Sequence, residues 1–551
     1  MGREVFEHVL NAETLNPGKV QQDLLFKLLD DNKDTEYGGK YGFSDIHSIE
    51  EFRKKVPVIT YEDVADELER MKNGEKNILT AYEFNHMNTT AGTIGKPKTI
   101  PMTGEQQKIF EKYNYHYLNG LLDTYCDPDY LYGRTFTPIG GKYVKTESGI
   151  TLGCASTKAA EYIGGMEKLD AQMSLMYTSP SEVMFADDDT DTKYIHMRFA
   201  MADRDMTGIN IGFFSYLVQL FHYIETNYEV LINDIEKGCI SDTVKIDDAT
   251  REKLMKKISP MPERAAELRE IFKNGPDLRF VPLIWPNLRY IMGVGGDGFA
   301  IYDSVIRNKY AGNDIVYFYS GINASEGLWS VPRGKENTDG ILAAGSAFME
   351  FLPEEANGDL SQIKSIDELE VGKVYELIIT DFCGLYRYRV FDCVKVTGFV
   401  NKTPCVDYMY RANRTINIGG EKMTEAAIKA AVSALVKEYD LPLVDYNVYA
   451  DKEQMPGQYQ FLFEFDASGE EIDVEALREP LYRQLCNANE IMKLCYEKCY
   501  IALPAIFALQ PETNMLYREL MVYRGASAAQ LKPVRIIANE DQKKFFFKMR
   551  K

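Results

Sequence analysis

The chain has 551 residues, 45% of them hydrophobic and 26% charged, which is typical of a globular protein with roughly three or four domain-sized units, or one large domain and a smaller one. The formal net charge of -20 argues against nucleic acid or an anionic membrane as the main partner. No run of about 18 apolar residues that could span a bilayer occurs. A signal-peptide core is missing, and the nine cysteines lack disulfide or metal spacing, so we expect a cytoplasmic protein with reduced thiols.

The N-terminal part of the chain is predicted to contain several helices, including one at residues 61–72, and a polar segment before the last of them. Apolar residues at helical spacing predict a helix within residues 13–36, and residues 104–123 also read as a long helix. Residues 88–101 carry threonines, two glycines and two lysines. Glycines let backbone N–H groups approach an anion, while threonine and lysine add donors and positive charge, so this segment could wrap a polyphosphate. A polar hairpin loop is an equally good interpretation of the segment alone.

The middle of the chain alternates predicted strands and helices. We expect short strands separated by Gly/Ser loops over residues 130–200, and single helices over residues 213–238 and 252–273. This alternation over about 300 residues predicts an α/β core with parallel pairing.

The pattern restarts near residue 424, which indicates a second domain. The predicted elements are a helix at 425–439, strands at 445–450 and 459–466, and a helix at 474–487. Their order predicts a compact α+β unit. We therefore divide the chain into domains 1–412 and 413–551.

A glycine-rich segment at residues 293–298 matches the Gly-x-Gly-x-x-Gly pattern of dinucleotide-binding folds. The match is weak, because Tyr302, Asp303 and Ser304 do not open a convincing helix at the required offset. A flexible loop that lines a pocket is the favoured interpretation.

Glu326 follows a predicted apolar strand at residues 315–319. Ligands bind beyond the carboxyl ends of strands in open α/β sheets, so this carboxylate could hold Mg²⁺ against phosphate oxygens. A surface glutamate in a turn is the alternative.

Asp392 lies inside an alternating aromatic strand at residues 384–396 and needs a partner there. Ribose hydroxyls would satisfy the carboxylate, and an ion pair with Arg387 or Arg389 would do so equally well. Further along, Gly419 and Gly420 could form a mobile loop that carries Lys422 into a site.

Taken together, these segments resemble the Gretchen-Hagen-type acyl acid amido synthetases (the auxin-responsive-promoter family) of the acyl-adenylate-forming, firefly-luciferase-like superfamily. Residues 90–98 are similar to the superfamily's phosphate loop, residues 323–326 to its adenine- and metal-side motif, and residues 388–392 to its ribose-binding segment, while Arg411 stands at its hinge arginine. The resemblance runs from about residue 13 to at least residue 425. The sequence departs from the pattern at three positions, which are Ile94, Ile322 and Phe391.

The resemblance implies an adenylate-forming enzyme fold, in which a large N-terminal domain with mixed β-sheets packed by helices precedes a smaller C-terminal α+β domain. It also implies a two-step reaction. A carboxylic acid attacks ATP to give an acyl adenylate and pyrophosphate, and an amino acid amine then forms an amide and releases AMP. ATP and Mg²⁺ are the cofactors implied, and a small carboxylic acid and an amino acid are the substrates.

The resemblance assigns roles to particular residues. Lys98, Lys422 and Glu326 would be catalytic, and Glu326 would also hold the metal. The ATP-binding residues would be Thr89, Thr90, Gly92, Thr93, Gly95, Asn323, Ala324, Ser325, Asp392 and Arg411.

The acyl pocket is assigned by position alone. Tyr115, Tyr117 and Trp329 follow the two ATP motifs and would give an aromatic pocket, although core packing explains such residues at least as well.

Two alternative functions stay open. An acid–thiol ligase that charges coenzyme A would share the ATP motifs and differ in the second half-reaction. A nucleotide-binding protein without ligase turnover is the other alternative, and the three departures from the family pattern would support it. The sequence leaves the identity of the acid, the amino acid and the oligomeric state undetermined.

Overall fold

A computed structural model describes residues 2–89, 98–138, 143–153, 166–183, 190–276, 279–295, 300–356, 358–412, 415–419, 421, 423–466, 472–524, 526, 528 and 531–551. Within these residues the protein is a mixed α/β structure. The α-helices are Gly2–His8, Pro17–Asp31, Glu36–Tyr41, Ile49–Lys55, Ala65–Lys72, Gly104–Phe110, Leu118–Tyr125, Met166–Met176, Thr192–Ala202, Phe214–Lys237, Asp248–Met255, Pro262–Phe272, Val281–Ile284, Ala300–Val305, Glu425–Tyr439, Arg478–Ala488, Glu490–Glu497, Thr513–Tyr523 and Glu540–Lys548.

Two sheets form the first part of the chain. The parallel sheet has the strand order Thr135–Phe136, Gly208–Phe213, Tyr290–Val294 and Val316–Tyr319. The N-terminal mixed sheet has the order Thr99–Thr103, Phe84–Thr89, Thr151–Gly153 and Tyr143–Lys145. Parallel pairing is thus confirmed in one sheet, and the other combines parallel and antiparallel neighbours.

A third sheet has six antiparallel strands, in the order Phe348–Pro353, Val374–Thr380, Tyr388–Val400, Thr403–Arg411, Gly340–Leu342 and Ser330–Pro332. Its inner face and the N-terminal helices share one buried cluster, in which Phe52, Leu68, Leu377 and Tyr386 are fully covered. This packing joins the beginning of the chain to residues more than three hundred positions later.

The C-terminal part has its own core, as the α+β prediction requires. Strands Leu443–Asp451, Gln458–Phe465 and Ala505–Ala508 form a sheet that packs against the helices at Glu425–Tyr439 and Arg478–Ala488. The first of these helices begins with a side-chain cap, because Thr424 Oγ1 accepts a hydrogen bond from the Ala427 N–H at 3.1 Å. The position of the domain boundary itself stays a prediction.

The helix Phe214–Lys237 ends as its sequence predicts. Gly238 follows it with φ of 64°, in the left-handed region, and a Cβ at this position would lie 2.3 Å from Pro260 N. Only glycine therefore fits this C-cap.

Three predicted elements were wrong in detail. The single helix expected over 252–273 is two helices, because Pro260 lies in the break between Met255 and Pro262, and Pro262 begins the second helix. Residues 130–200 contain helices at Met166–Met176 and Thr192–Ala202 in addition to short strands. A helix does begin at Ala300, just after the glycine-rich segment, whose residues 296–298 lie outside the described part of the chain.

Candidate active site

The predicted phosphate loop connects two paired strands of the N-terminal mixed sheet. Thr89 ends one strand and lies opposite Thr99, which begins the next. Thr90, Gly92, Thr93 and Gly95 lie outside the described residues, so only the base of this connection is visible. The structure describes Thr89 on one side of that base and Lys98 on the other.

Tyr61 supports the second side of the connection. Its ring lies 5.0 Å from Lys98 Nζ, and its hydroxyl accepts a hydrogen bond from the Thr99 N–H at 3.3 Å. The cation–π contact holds the lysine ammonium at the edge of the sheet.

A tight turn after the last strand of the parallel sheet carries Glu326. The Ala324 N–H donates to the Gly327 carbonyl at 2.8 Å and closes this turn. Asn88 Nδ2 donates to the Ser325 carbonyl at 2.8 Å, which fixes the turn beside the strand that leads into the predicted phosphate loop. Asn323 Oδ1 accepts from Asn114 Nδ2 at 3.1 Å on the other side.

Glu326 is buried, with 4% of its surface exposed, so the surface-turn alternative is wrong. Burial raises the pKa of its carboxyl above the usual value, while Arg411 and Lys98 oppose that rise and Asp392 adds to it. These residues come from distant segments and are close enough to influence one another electrostatically.

Asp392 and Arg411 face each other on neighbouring strands of the six-stranded sheet. Arg411 Nε lies 3.3 Å from Asp392 Oδ1, and the carboxylate raises the pKa of the guanidinium. Arg387 pairs with Glu350 and Arg389 with Glu376, so the predicted alternative partners of Asp392 were wrong.

The Asp392–Arg411 pair retains hydrogen-bonding capacity. Neither Asp392 Oδ1 nor Arg411 Nε has a hydrogen-bond partner among the described residues, although both are buried. Buried polar atoms are normally satisfied, so a pair of this kind suits a ligand that supplies hydroxyl groups.

Phe391, one of the departures from the family pattern, has an unusual backbone. Its φ of 63°, in the left-handed region, is one that favours glycine, and its ring lies 4.8 Å from the Arg389 guanidinium. The chain therefore adopts a glycine-like conformation before Asp392 without having a glycine there.

The loop that precedes Lys422 is tied down by an acidic side chain. Glu421 accepts hydrogen bonds from the N–H groups of Ile418 and Gly419 at 2.7 Å each, and it also contacts the Tyr459 hydroxyl. Lys422 itself lies outside the described residues.

Comparisons with known proteins match nearly the whole chain to one family. The GH3 family N-terminal domain matches residues 6–316, the GH3 family central domain residues 340–411, and the GH3 family C-terminal domain residues 422–541. The chain belongs to the GH3 family.

Individual GH3 relatives agree with this result over most of their length. The chain is 27% identical over 549 residues to an indole-3-acetic acid-amido synthetase, GH3.3, of Arabidopsis thaliana, covering 95% of the chain and 90% of the relative. It is 27% identical over 514 residues to the jasmonoyl–L-amino acid synthetase JAR4 of Nicotiana attenuata, covering 89% and 83%. The solved structure of the GH3.15 acyl acid amido synthetase superposes with a TM-score of 0.86 at 23% identity, covering 98% of this chain and 95% of that one. The predicted fold class is thereby confirmed.

The residues assigned to the acyl pocket of this GH3 chain occupy different surroundings. Tyr115 is 43% exposed, in a helical segment at Glu111–Tyr117. Tyr117 is fully buried, and its hydroxyl donates to the Pro332 carbonyl at 2.8 Å. Trp329 is also fully buried and packs in the cluster under the six-stranded sheet. Core packing thus accounts for Tyr117 and Trp329, and the pocket assignments stay predictions.

Sequence reasoning missed a second buried carboxyl beside Glu326. Asp381 Oδ1 accepts from the N–H groups of Cys383 and Leu385 at 2.9 and 3.2 Å, and Oδ2 has no hydrogen-bond partner among the described residues. Burial raises the pKa of Asp381 to about 8, and the nearby Glu326 carboxyl contributes to this rise. Its position directly after the apolar strand Val374–Thr380, where a buried carboxyl needs partners, was the signal that could have found it.

None of the helices in the described part of the chain is long and apolar enough to cross a membrane.

Proposed function

We propose that this GH3-family protein is an ATP-dependent acyl acid amido synthetase. It activates a small carboxylic acid as an acyl adenylate with release of pyrophosphate, and then joins the acyl group to the amine of an amino acid. The observation that carries the proposal is the cluster of Lys98, Glu326, Asp392 and Arg411, which come from four separate segments in a GH3 fold. Attack on the α-phosphorus depends mainly on positioning and charge neutralisation, and such a cluster supplies both.

Asp392 and Arg411 are the ribose-side pair in this proposal. The free acceptor capacity of Asp392 Oδ1 supports this role, because ribose hydroxyls would donate to it. Lys98 lies at the base of the predicted phosphate loop, where its ammonium would anchor the loop or the leaving pyrophosphate. Thr89 would contact the phosphates from the opposite side of the same base.

Glu326 is the proposed ligand for Mg²⁺. The described residues contain no group of three or more side chains suited to hold a metal ion. A single carboxylate nevertheless fits Mg²⁺, which commonly binds one or two carboxylates together with the phosphates of its nucleotide. When bound, the ion would neutralise phosphate charge.

The compartment and the substrates complete the proposal. The cysteines in the described part of the chain are free thiols, which favours the cytoplasm. Relatives named for indole-3-acetic acid and for jasmonoyl conjugates take different acids, so we propose only the class of a small carboxylic acid for this chain.

Acid-dependent exchange between pyrophosphate and ATP, measured over a panel of carboxylic acids, tests the first half-reaction. Asp392→Ala should abolish this exchange, and so should Lys422→Ala. Glu376→Gln is a matched control, because Glu376 is as buried as Asp392 and pairs with Arg389 in the same sheet. Full exchange in both site variants, or loss of exchange in the control alone, contradicts the proposed roles.

The second half-reaction is tested on preformed adenylate. Amino acids and coenzyme A are offered separately, and the products are identified by mass spectrometry. Amide formation supports the proposal. A thioester as the product would identify an acid–thiol ligase, and no exchange with any acid would leave a nucleotide-binding protein without turnover.

A further inference from the structure

Asp381 folds the turn between the strands Val374–Thr380 and Tyr388–Val400 of the six-stranded sheet. It is fully buried, and its Oδ1 accepts hydrogen bonds from the N–H groups of Cys383 and Leu385 at 2.9 and 3.2 Å. Its own N–H donates to the Leu385 carbonyl at 3.0 Å. A side-chain oxygen that accepts from an N–H two residues further along is a common way to fix such a turn. The shape of this turn therefore depends on the Asp381 side chain.

The turn reaches the backbone of Glu326 through a thiol. Cys383 is fully buried, and its Sγ–H donates to the Glu326 carbonyl at 3.5 Å. A thiol is a weak donor, so this contact depends on a backbone that holds the sulfur in place. Asp381 fixes the N–H of the same cysteine, and the two contacts therefore connect the Asp381 carboxyl to the Glu326 backbone.

The peptide groups on both sides of Glu326 are held. Asn88 Nδ2 donates at 2.8 Å to the Ser325 carbonyl, which belongs to the peptide before Glu326, and Cys383 binds the carbonyl of the peptide after it. Because a peptide group is planar, fixing both planes fixes the two backbone dihedral angles of the residue between them. Those angles set the direction of the Cα–Cβ bond and the side-chain rotamers that are allowed. The position of the Glu326 carboxylate therefore depends on both contacts.

Close packing at the next residue leaves the Glu326 backbone little room to move. A Cβ at Gly327 would lie 2.7 Å from two ring carbons of Trp329 and 3.5 Å from Gln106 Nε2, and both of these side chains are buried. Since protein interiors are close-packed, the backbone cannot shift towards these groups without displacing them.

The same turn also holds the helix that carries Gln106. Thr103 caps the helix Gly104–Phe110, because its Oγ1 accepts from the Gln106 N–H at 3.1 Å, and its hydroxyl donates to the Phe382 carbonyl at 3.0 Å. Phe382 lies within the turn. A change in the turn would therefore move both the start of this helix and the backbone of Glu326.

Only one oxygen of Asp381 takes part in these contacts. The other, Oδ2, is buried and has no hydrogen-bond partner among the described residues. Asparagine offers an acceptor at the place of Oδ1, whereas leucine has a similar shape and no acceptor. The two substitutions therefore separate the acceptor that folds the turn from the carboxyl group as such.

We propose that Asp381 is a positioning residue for the first half-reaction. Through the turn that it folds and the Cys383 thiol, it fixes the backbone of Glu326 and so directs the Glu326 carboxylate towards the bound nucleotide. The inference rests on the proposed function, in which Glu326 is the ligand for Mg²⁺. Asp381 acts on that carboxylate through the backbone and touches neither the nucleotide nor the metal.

Isothermal titration calorimetry on the full chain tests the proposal with α,β-methylene-ATP, in which a carbon bridge replaces the bond that the reaction breaks. Binding is measured once with Mg²⁺ and once with EDTA, and the ratio of the two dissociation constants is the Mg²⁺-dependent gain. A misdirected Glu326 carboxylate loses this gain, whereas the contacts of Asp392 and Arg411 with the nucleoside persist in both buffers. We expect the gain to fall by about tenfold or more in Asp381→Leu, the loss typical when a group that orients a metal ligand is removed.

Asp381→Asn should keep most of the gain, because it keeps the acceptor. Asp234→Leu is the matched control for losing a buried acceptor. Asp234 is 6% exposed, and its Oδ2 accepts from the Tyr194 hydroxyl at 2.5 Å and from the Ser241 N–H at 3.2 Å. Thermal unfolding should show that this control is destabilised, while its Mg²⁺-dependent gain stays at the wild-type value. A full gain in Asp381→Leu, or the same loss in Asp381→Asn or in the control, overturns the proposal.

Cys383→Ala tests the connection to Glu326 and leaves the acceptor of Asp381 in place. The gain should fall by about threefold, because a hydrogen bond from sulfur is weak. Cys405→Ala is the control, since Cys405 is also a fully buried thiol of the six-stranded sheet. Equal gains in these two alanine variants overturn the proposed connection, and this result can be obtained even if Asp381→Leu does not fold.

The outcomes distinguish this inference from the proposed function. Wild-type binding with an unchanged gain in Asp381→Leu leaves the ligase proposal standing and overturns the role of Asp381 alone. Wild-type binding that is equal in both buffers overturns the metal role of Glu326 and this inference together. No binding of α,β-methylene-ATP to the wild type in either buffer overturns the proposed function, and this inference with it.

Discussion

Two charged regions of this GH3 chain differ in how their charges are balanced. In the active-site cluster, Asp392 and Arg411 pair across neighbouring strands, and Arg411 and Lys98 oppose the effect of burial on Glu326. Around the cavity between the helices Phe214–Lys237 and Thr513–Tyr523, Glu464 and Arg518 are both buried, and within the described part of the chain neither has an ion-pair partner. The comparison shows that burial of charges and their neutralisation are separate features of this fold, because among the described residues only the first region supplies its own counter-charges.

Removing one partner of the Asp392–Arg411 pair should have the largest effect on stability and activity. Arg411→Met would leave Asp392 buried and unpaired, which we expect to cost about 3–4 kcal/mol of unfolding free energy. Acid-dependent exchange should fall by about a hundredfold or more, since a charge in the reacting region is lost. Chemical denaturation and the exchange assay measure the two effects, and Arg389→Met on the neighbouring Glu376 pair is a control for activity. Equal exchange rates in the two variants would contradict the role of Arg411.

The region around Glu464 and Arg518, whose charges are unpaired in the described part of the chain, should make the stability of the protein depend on pH. The folded pKa of Glu464 is about 7 and its ordinary value is 4.5, so the folded state keeps a proton that the unfolded chain loses. The contribution of Glu464 to the free energy of unfolding is therefore fully present below pH 4.5. It decreases as the pH rises to 7, by about 3 kcal/mol in all.

Glu464→Gln tests this pH dependence, because glutamine stays uncharged at every pH. The variant should show a flatter unfolding temperature between pH 4.5 and 7.5 than the wild type, and higher stability at pH 7.5. A parallel pH profile in the two proteins would show that Glu464 is not protonated in the fold.

A smaller effect is expected from the polar atoms around the cavity. Gln219 Oε1 is buried without a partner among the described residues, so Gln219→Leu should raise the unfolding free energy by about 1 kcal/mol. Asn227→Leu on the same helix is the contrast, because Asn227 Nδ2 donates to the Tyr223 carbonyl at 3.0 Å and its loss should be destabilising. Thermal unfolding of both variants checks the difference in sign.

The smallest effect concerns the backbone before Asp392. Phe391→Gly relieves the left-handed conformation but loses the contact with Arg389, so we expect a change within about 1 kcal/mol. Phe391→Val should lose about 1–2 kcal/mol, because β-branched residues are strongly disfavoured at positive φ. If valine were tolerated as well as glycine at this position, strain would not be the reason.

The two regions also differ in how far the sequence predicted them. Glu326 and Asp392 were recognised because each stands in a local pattern, one beyond a strand end and one inside an alternating strand. Asp381 also had a local signal, because it directly follows an apolar strand, and it was overlooked. Arg518 and Glu464 had no local signal at all. Each is buried by residues from distant parts of the chain, and the sequence around it does not show whether those residues carry an opposite charge.

Secondary structure followed the same division. The helices at Phe214–Lys237 and Glu425–Tyr439 matched the prediction, because the spacing of their apolar residues and their end caps depend only on neighbouring residues in the sequence. Pro260 and Pro262 also indicate the break between Met255 and Pro262. The apolar spacing on both sides nevertheless favoured one continuous helix, and that prediction was wrong.

The sequence by itself determined many of the strands and helices, the family and the segments that carry the chemistry, because these depend on patterns within a few residues. Only the tertiary structure decided which charges meet. Asn88 reaches Ser325 across 237 positions of sequence, and Arg411 rather than Arg387 or Arg389 neutralises Asp392. Such pairings follow from how whole sheets pack and register, and the free energy of a buried charge depends on them rather than on its neighbours in the chain.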